Sequence, residues 1–224
     1  MSEVRSLSVT TLGASALPPQ RRSGEVFDRV RQAIIAGELR PNEPLIEADI
    51  AERLGVSRTP VRESLQRLAA AGLIVPRKRG WAVREFSLED LTLNAEVRAA
   101  LEGVAAGLAA QRATVDDLAQ LFAIHAERLA LDPQDEKARV RTNRAFHDAV
   151  IAAARNPKLV DAIDATGLFY FNGDVVRMSS AEQMAQGNAD HALILDALAA
   201  RDATAAERHM RAHIERTTRI IRNR

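Results

Sequence analysis

The sequence predicts a mainly α-helical protein of two parts, the first with three helices and a β-hairpin and the second wholly helical. Alanine is abundant and aromatic residues make up only 4% of the 224 residues, which favours helices over an aromatic-rich β-sandwich. Apolar residues recur at spacings of three and four along most of the chain, as on one face of a helix. Short β-type runs occur on either side of Arg77 to Gly80, where they predict a hairpin with a basic tip.

Composition excludes several classes of protein. The chain has no cysteine, which excludes a disulfide scaffold, a thiol nucleophile and cysteine-ligated metal sites. No apolar run reaches the ~18–20 residues that span a bilayer, and residues 1–23 have no apolar stretch of the kind found in signal peptides. We therefore expect a soluble, cytoplasmic protein with no membrane partner.

The net charge of +1 hides a strong asymmetry along the chain. Residues 1–86 contain 14 Lys and Arg against 10 Asp and Glu, whereas residues 87–224 contain 17 against 20. Between Ser57 and Arg84 there are seven basic residues and one acid, Glu63. This concentration indicates an anionic partner bound at one place, although a solvated basic face is the alternative.

The pattern divides the chain into a tail and two domains. Residues 1–23 lack any period and predict a disordered tail. Residues 24–86 predict a helix from Gly24 to Gly37, an extended connector, a helix over Glu47–Leu54, a third helix whose start is capped by the hydroxyl of Ser57 or Thr59, and the hairpin. Residues 87–224 predict helices at 88–111, 115–131, 135–155, 158–172, 182–200 and 203–222, with N-caps at Ser87, Thr114, Asp202 and Thr204.

Three helices and a hairpin within about 60 residues describe a winged helix-turn-helix, whose third helix enters the major groove of double-stranded DNA. Arginine can contact guanine in two places, and hydroxyl groups suit phosphate oxygens. The candidate DNA-binding residues lie at the start of the third helix, further along it and at the wing tip, and are Ser57, Arg58, Thr59, Arg62, Arg67, Arg77, Lys78, Arg79 and Gly80.

The segment from Leu54 to Leu68, LGVSRTPVRESLQRL, strongly resembles the recognition segment of GntR-family bacterial transcription regulators. The resemblance extends from Val26 to about Trp81. It implies a symmetric homodimer on a short palindromic operator, with DNA contacts from Arg58, Thr59 and Arg62.

Histidines on three of the predicted C-terminal helices are candidates for a metal site. Asn143 and His147 are four residues apart and share a helix face, while His191 and His213 lie on the last two helices. Three imidazoles and one oxygen ligand can hold Zn²⁺ or Ni²⁺, and the alternative is three neutral histidines that bind an organic ligand directly. The two other histidines, His125 and His209, are expected at the surface or in an outer layer around the site.

Residues 88–216 are similar to the FadR subgroup of the same family, which has an FCD effector domain. The likeness rests on the motifs ExRxxLE from Glu96, NxxFH from Asn143, the pair Asp190-His191, and MxxH ending at His213. It implies an all-α domain around a cavity in which one Asp and three His hold a metal. Asn143 stands at the Asp position and brings no charge, which weakens the expected binding of a cation.

Arg98 lies among apolar residues on the first helix of this domain and therefore needs a partner. The partner is either an acidic side chain, such as Glu96 or Glu102, or the carboxylate of an effector, which the resemblance favours. The sequence thus predicts a ligand-responsive repressor that a small carboxylate releases from DNA, and not an enzyme.

Two other functions compete with this prediction. A metal-dependent hydrolase could use the histidine cluster, but the chain has no His-Glu-x-x-His motif and no evident base beside a histidine pair. An architectural DNA-binding protein without a ligand would bind DNA regardless of sequence.

Overall fold

The computed structural model describes residues 22–35, 37–165 and 179–222. It divides into two compact units, with the division between Glu85 and Phe86. The first unit contains helices α1 (Arg22–Ile35), α2 (Glu47–Leu54) and α3 (Arg58–Ala70), and strands β1 (Pro44–Leu45), β2 (Ile74–Pro76) and β3 (Trp81–Val83). The second unit contains α4 (Leu88–Arg112), α5 (Val115–Ala130), α6 (Glu136–Ala153), α7 (Pro157–Ala165), α8 (Ala181–Ala199) and α9 (Ala203–Arg222).

Helices α2 and α3 form the helix-turn-helix, and Gly55 makes the short turn between them possible. Gly55 ends α2 in the left-handed conformation with φ of 62°, and its N–H bonds to the carbonyl groups of the last turn of α2. Val61, Leu65 and Leu68 recur along the buried face of α3. The outer face of α3 is left free for polar and basic side chains.

The wing differs from the predicted two-stranded hairpin, because β1 adds a third strand in the order β1-β3-β2. Strand β1 pairs antiparallel with β3, and Leu45 lies opposite Trp81. The sequence predicted only an extended connector at this place, because Pro44 cannot donate to a ladder and such residues are confined to edge positions. The third strand also explains why position 80 is a glycine. A Cβ at this position would lie 2.8 Å from the carbonyl oxygen of Leu45 in β1.

The predicted helix caps are partly confirmed. Ser87 and Thr114 form capping boxes, each accepting a hydrogen bond from a backbone N–H three residues on. Asp202 accepts from the N–H of Ala205, so Thr204 lies inside α9 and the prediction that it caps this helix was wrong. A hydroxyl cap was predicted from Ser57 or Thr59. Ser57 occupies the N-cap position of α3 but its side chain makes no capping hydrogen bond, and Thr59 lies inside the helix.

Small residues bring the helices of the second unit close together. Helix α4 packs along α9, and a Cβ at Gly103 would lie 2.7 Å from Cγ of Arg211. Apolar side chains of α4, α5, α6, α8 and α9 form one core, which includes Ala106, Phe146 and Leu198. The predicted helix 158–172 is seen as α7 to Ala165, and its remainder lies outside the described residues. No described helix is both long and apolar enough to cross a membrane.

Candidate functional site

The structure brings three of the predicted histidines together inside the second unit. His147 on α6, His191 on α8 and His213 on α9 are buried, and each offers a ring nitrogen within 4.8 Å of the others. The three helices belong to one core, which fixes the positions of these side chains. The spacing along the sequence showed that the three histidines could lie close together. The packing of the helices brings them together.

Two buried carboxylates lie behind two of these imidazoles. Nδ1 of His147 lies 2.5 Å from Oε2 of Glu102, and Nδ1 of His213 lies 3.2 Å from Oδ2 of Asp190. A carboxylate that accepts from Nδ1 fixes the tautomer and leaves the Nε2 lone pair for a metal. Nε2 of His147 and both ring nitrogens of His191 are buried and have no hydrogen-bond partner among the described residues.

The site favours neutral imidazoles. Burial lowers the pKa of His147 to about 4, although the charge of Glu102 opposes the shift. Burial and the charge of Arg98 lower the pKa of His213 to about 3, and burial also holds the pKa of His191 well below its ordinary value. Three neutral imidazoles at pH 7 are in the protonation state that metal binding requires.

Glu102 is a functional residue that the sequence pattern does not identify, because the pattern suggests this side chain only as a partner for Arg98. Its carboxylate is fully buried and bonds to Nε of Arg98 and to Nδ1 of His147. Burial raises the pKa of Glu102, but the charges and hydrogen bonds of Arg98 and His147 outweigh it and hold the pKa well below its usual range. Glu102 is therefore an anion at neutral pH, and it links the arginine to the histidine cluster.

A cavity of about 50 Å³ opens beside the cluster. The polar and charged residues that line it include Arg98, Arg128, Arg139, Asn143, His147 and His213. Asn143 thus lies at the cavity that His147 also borders, as expected from their shared helix face. The cavity is small and is bordered by three cationic side chains, those of Arg98, Arg128 and Arg139.

The other two histidines lie outside the cluster. His125 is buried, and its ring centroid is 6.3 Å from that of His191, so it lies in an outer layer and the surface alternative was wrong. Phe146 stacks on His191 with ring centroids 4.0 Å apart, which holds the imidazole in place. His209 is half-buried on α9.

The candidate DNA-binding residues form an exposed basic surface on the first unit. Ser57, Arg58, Thr59 and Arg62 are exposed at the start of α3, and Arg77 to Gly80 are exposed at the wing tip. Arg62 donates three hydrogen bonds to the carboxylate of Glu47, two from Nε and one from a terminal nitrogen. Arg67, predicted to meet the DNA backbone, is also exposed, and its guanidinium lies 4.2 Å from the centroid of the Phe27 ring. Its contact with DNA stays a prediction.

The histidine pKa values predict that the metal-free protein loses stability in weak acid. The unfolded chain takes up protons near pH 6.5, whereas folded His147 and His213 do so only near 4 and 3. The unfolded state therefore binds more protons between these limits, and the free energy of unfolding falls by up to about 1.4 kcal/mol per histidine for each unit that the pH drops.

Thermal melts of chelator-treated protein between pH 7 and 4.5 check this prediction. A His213→Gln variant should show a shallower slope below pH 6.5. A melting temperature that stays constant over this range would contradict it.

Comparison with known proteins identifies both units. Residues 22–83 match the bacterial regulatory proteins of the gntR family, and residues 94–216 match the FCD domain. A probable D-xylose utilization operon transcriptional repressor of Paenarthrobacter nicotinovorans is 32% identical over 194 residues, covering 86% of this chain and 85% of that protein. The HTH-type transcriptional repressor RspR of Escherichia coli (strain K12) is 28% identical, covering 92% of this chain and 91% of that protein.

A solved structure agrees with these sequence matches. E. coli McbR/YncC superposes with a TM-score of 0.78 at 25% identity, over 90% of this chain and 97% of that one. Both the fold class and the resemblance predicted from the sequence are confirmed. The chain belongs to the GntR family of bacterial transcription regulators and combines the DNA-binding domain of that family with an FCD effector-binding domain.

Proposed function

We propose that this regulator is a homodimeric repressor that binds a palindromic operator in the cytoplasm and is released by a small carboxylate. Residues 24–86 bind the DNA, and residues 87–224 bind the effector and form the dimer. The observation that carries the effector assignment is the cavity of the FCD domain, where Arg98 and the histidine cluster border the same small space. A carboxylate suits both groups.

The residues present fit a divalent metal ion. The buried nitrogen atoms of His147 and His191 that lack a partner among the described residues would be satisfied as ligands, together with His213. Asn143 would supply a neutral amide oxygen, and Zn²⁺ or Ni²⁺ suits such a donor set. A bound ion would act as a Lewis acid and coordinate a carboxylate oxygen of the effector. Asn143 brings no negative charge to the cation, and the ionised Glu102 beside His147 supplies part of that missing charge.

Arg98 is positioned to bind the other side of the effector. Its Nε is held by Glu102, while its two terminal nitrogens make no hydrogen bond to a described residue. The guanidinium borders the cavity, so these nitrogens can donate to a carboxylate there. Glu102 fixes the arginine in this position and keeps its charge compensated when the cavity holds no anion.

Exposed apolar side chains support the assignment of the dimer to the second unit. Val115, Phe122 and Leu129 are exposed on α5 at intervals of seven residues, which places them on one face of the helix. Exposed apolar patches of this kind mark protein interfaces. We propose a second copy of this chain as the partner, and light scattering of the purified protein measures whether it is a dimer.

The metal content of protein purified without chelator tests the site. Elemental mass spectrometry should find about one divalent ion per chain, and the His191→Ala/His213→Ala variant should lose it. No ion in the wild-type protein, even after reloading with Zn²⁺ or Ni²⁺, would refute the metal site. The effector would then contact Arg98 and neutral imidazoles directly.

Release from DNA tests the effector class. An operator selected from random DNA should bind the protein in a gel shift and resist competition by random sequence, which an architectural protein would not show. Small carboxylates should weaken this binding by about 5- to 150-fold, the usual range for coupled sites. Operator binding that no carboxylate changes would refute the proposed effector. The hydrolase alternative is not favoured, because the family and the named relatives are regulators.

A further inference from the structure

Two arginines that line the cavity have no role in the proposed function. Arg128 on α5 and Arg139 on α6 both line the cavity that Arg98 borders. They are 9% and 8% exposed, which is unusual for arginine unless the charge is paired.

The partners of these two arginines are neutral. Arg128 donates to the side-chain oxygen of Asn188 at 2.7 Å and to the backbone carbonyl of Arg139 at 3.0 Å. Arg139 donates to the backbone carbonyl of Pro133 at 3.0 Å. Among the described residues, neither guanidinium forms an ion pair with a carboxylate, although the charge of Glu136 acts on Arg139. Arg98 differs, because Glu102 neutralises it.

Two buried cations that share a cavity are unfavourable without an anion. Burial and the charge of Arg139 lower the pKa of Arg128 to about 10, which still leaves it charged at neutral pH. The hydrogen bonds to Asn188 and to backbone carbonyls fix the positions of the two side chains, and the charge of Glu136 compensates that of Arg139 only in part. An anion in the cavity would compensate both charges, and a guanidinium binds a carboxylate or phosphate through two parallel hydrogen bonds.

We propose that Arg128 and Arg139 form a second anion site, so that the effector is a small dianion with one carboxylate at Arg98 and the histidine cluster and a second acidic group at these two arginines. This inference rests on the proposed function, in that the cavity binds a carboxylate. The cavity is small, at about 50 Å³, which favours the shortest dianions, such as a short dicarboxylate or a phosphorylated short acid. Both present a second anionic group, and the two are separated by experiment.

Calorimetric titration of the full-length, zinc-loaded protein tests the proposal. The probes are malonate and succinate, the monoanions propionate and butyrate of the same carbon number, and phosphoglycolate. We expect at least one dianion to bind tenfold or more tightly than the monoanions. Tighter binding of malonate or succinate identifies a carboxylate as the second group, and tighter binding of phosphoglycolate identifies a phosphate.

Variants of Arg139 assign the selectivity to the proposed site. Arg139→Gln should lower dianion affinity at least tenfold more than monoanion affinity and leave zinc content within twofold of wild type. Arg139→Lys keeps the positive charge but lacks the planar guanidinium that makes two parallel hydrogen bonds. It should therefore keep part of the selectivity that Arg139→Gln loses. The matched control is Arg141→Gln on the same helix, where an exposed arginine pairs with Glu127 and should be without effect. If Arg139→Gln does not fold, the preference of the wild-type protein for dianions over monoanions still tests the proposal.

The results distinguish this proposal from the proposed function. Wild-type protein that binds monoanions and dianions equally would overturn the second anion site and leave the carboxylate effector intact. Operator binding without affinity for any of the carboxylates would overturn both. Equal weakening of monoanions and dianions by Arg139→Gln would also overturn the second site, because the arginine would then lack the expected specificity.

Discussion

Replacement of Arg62 by alanine is expected to abolish specific operator binding. Arg62 lies in the second turn of α3, and its side chain is 60% exposed on the face that carries the other candidate DNA contacts. A paired arginine contact to guanine is worth about 1–3 kcal/mol per site, and a symmetric dimer loses it twice. Two such losses amount to about 2–6 kcal/mol, so the affinity should fall by at least about 30-fold at fixed salt.

The same substitution should leave the fold intact. Arg62 makes its hydrogen bonds to Glu47 at the surface, and exposed ion pairs contribute little to stability. No buried side chain of α3 depends on it, since the inner face is formed by Val61, Leu65 and Leu68. The melting temperature of the variant should stay close to that of the wild type.

Glu47→Ala is the matched control. It breaks the same ion pair but leaves the Arg62 charge free for DNA, so operator binding should be kept or become tighter. Gel shifts with an operator selected from random DNA measure both variants. If Arg62 serves only to hold α2 against α3, both variants will weaken binding equally, and that result would refute the DNA contact. The salt dependence adds detail, because a lost phosphate contact lowers the slope of log K by about one.

Local patterns accounted for most of the fold. The stripe of Val61, Leu65 and Leu68 on α3 and the Gly55 turn follow from period and backbone freedom alone. The β1 strand was missed because two residues, one of them proline, carry no strand signal. It exists because β3 offers a free edge, which is a property of the folded unit.

The candidate site was harder to predict, because its contacts are between distant residues. Glu102 and His147 are 45 residues apart and meet only once α4 packs against α6. The burial of Arg128 and Arg139 was also missed, because arginine is ordinarily exposed and nothing in the spacing distinguishes these two from Arg141. The spacing of residues along the sequence identified side chains that could form a site. The tertiary packing determines which of them are in contact.

Glu102→Gln is expected to have the second large effect, on both stability and metal affinity. The carboxylate is fully buried and compensates Arg98, and removing one member of a buried ion pair typically costs about 3–5 kcal/mol. Loss of the carboxylate behind a metal-binding histidine typically lowers metal affinity 10- to 100-fold. Because His147 receives its orientation from Glu102, both losses are expected together.

Thermal melts in chelator measure the loss of stability, and competition with a chromophoric zinc chelator measures the affinity. Glu96→Gln, an exposed glutamate on the same helix, is the control and should change neither. A Glu102→Gln protein that keeps its zinc affinity would contradict the role of this carboxylate in holding His147.

The double variant Arg98→Met/Glu102→Gln separates the two effects. Removing both charges leaves no uncompensated ion in the core, and replacing a whole buried pair by apolar or neutral groups is often neutral for stability. The melting temperature should therefore return towards that of the wild type. Zinc affinity should stay low, because the hydrogen bond to His147 still lacks its carboxylate. Recovery of both properties would mean that Glu102 serves only to neutralise Arg98, and that the histidine cluster is held in place by its packing against Phe146 instead.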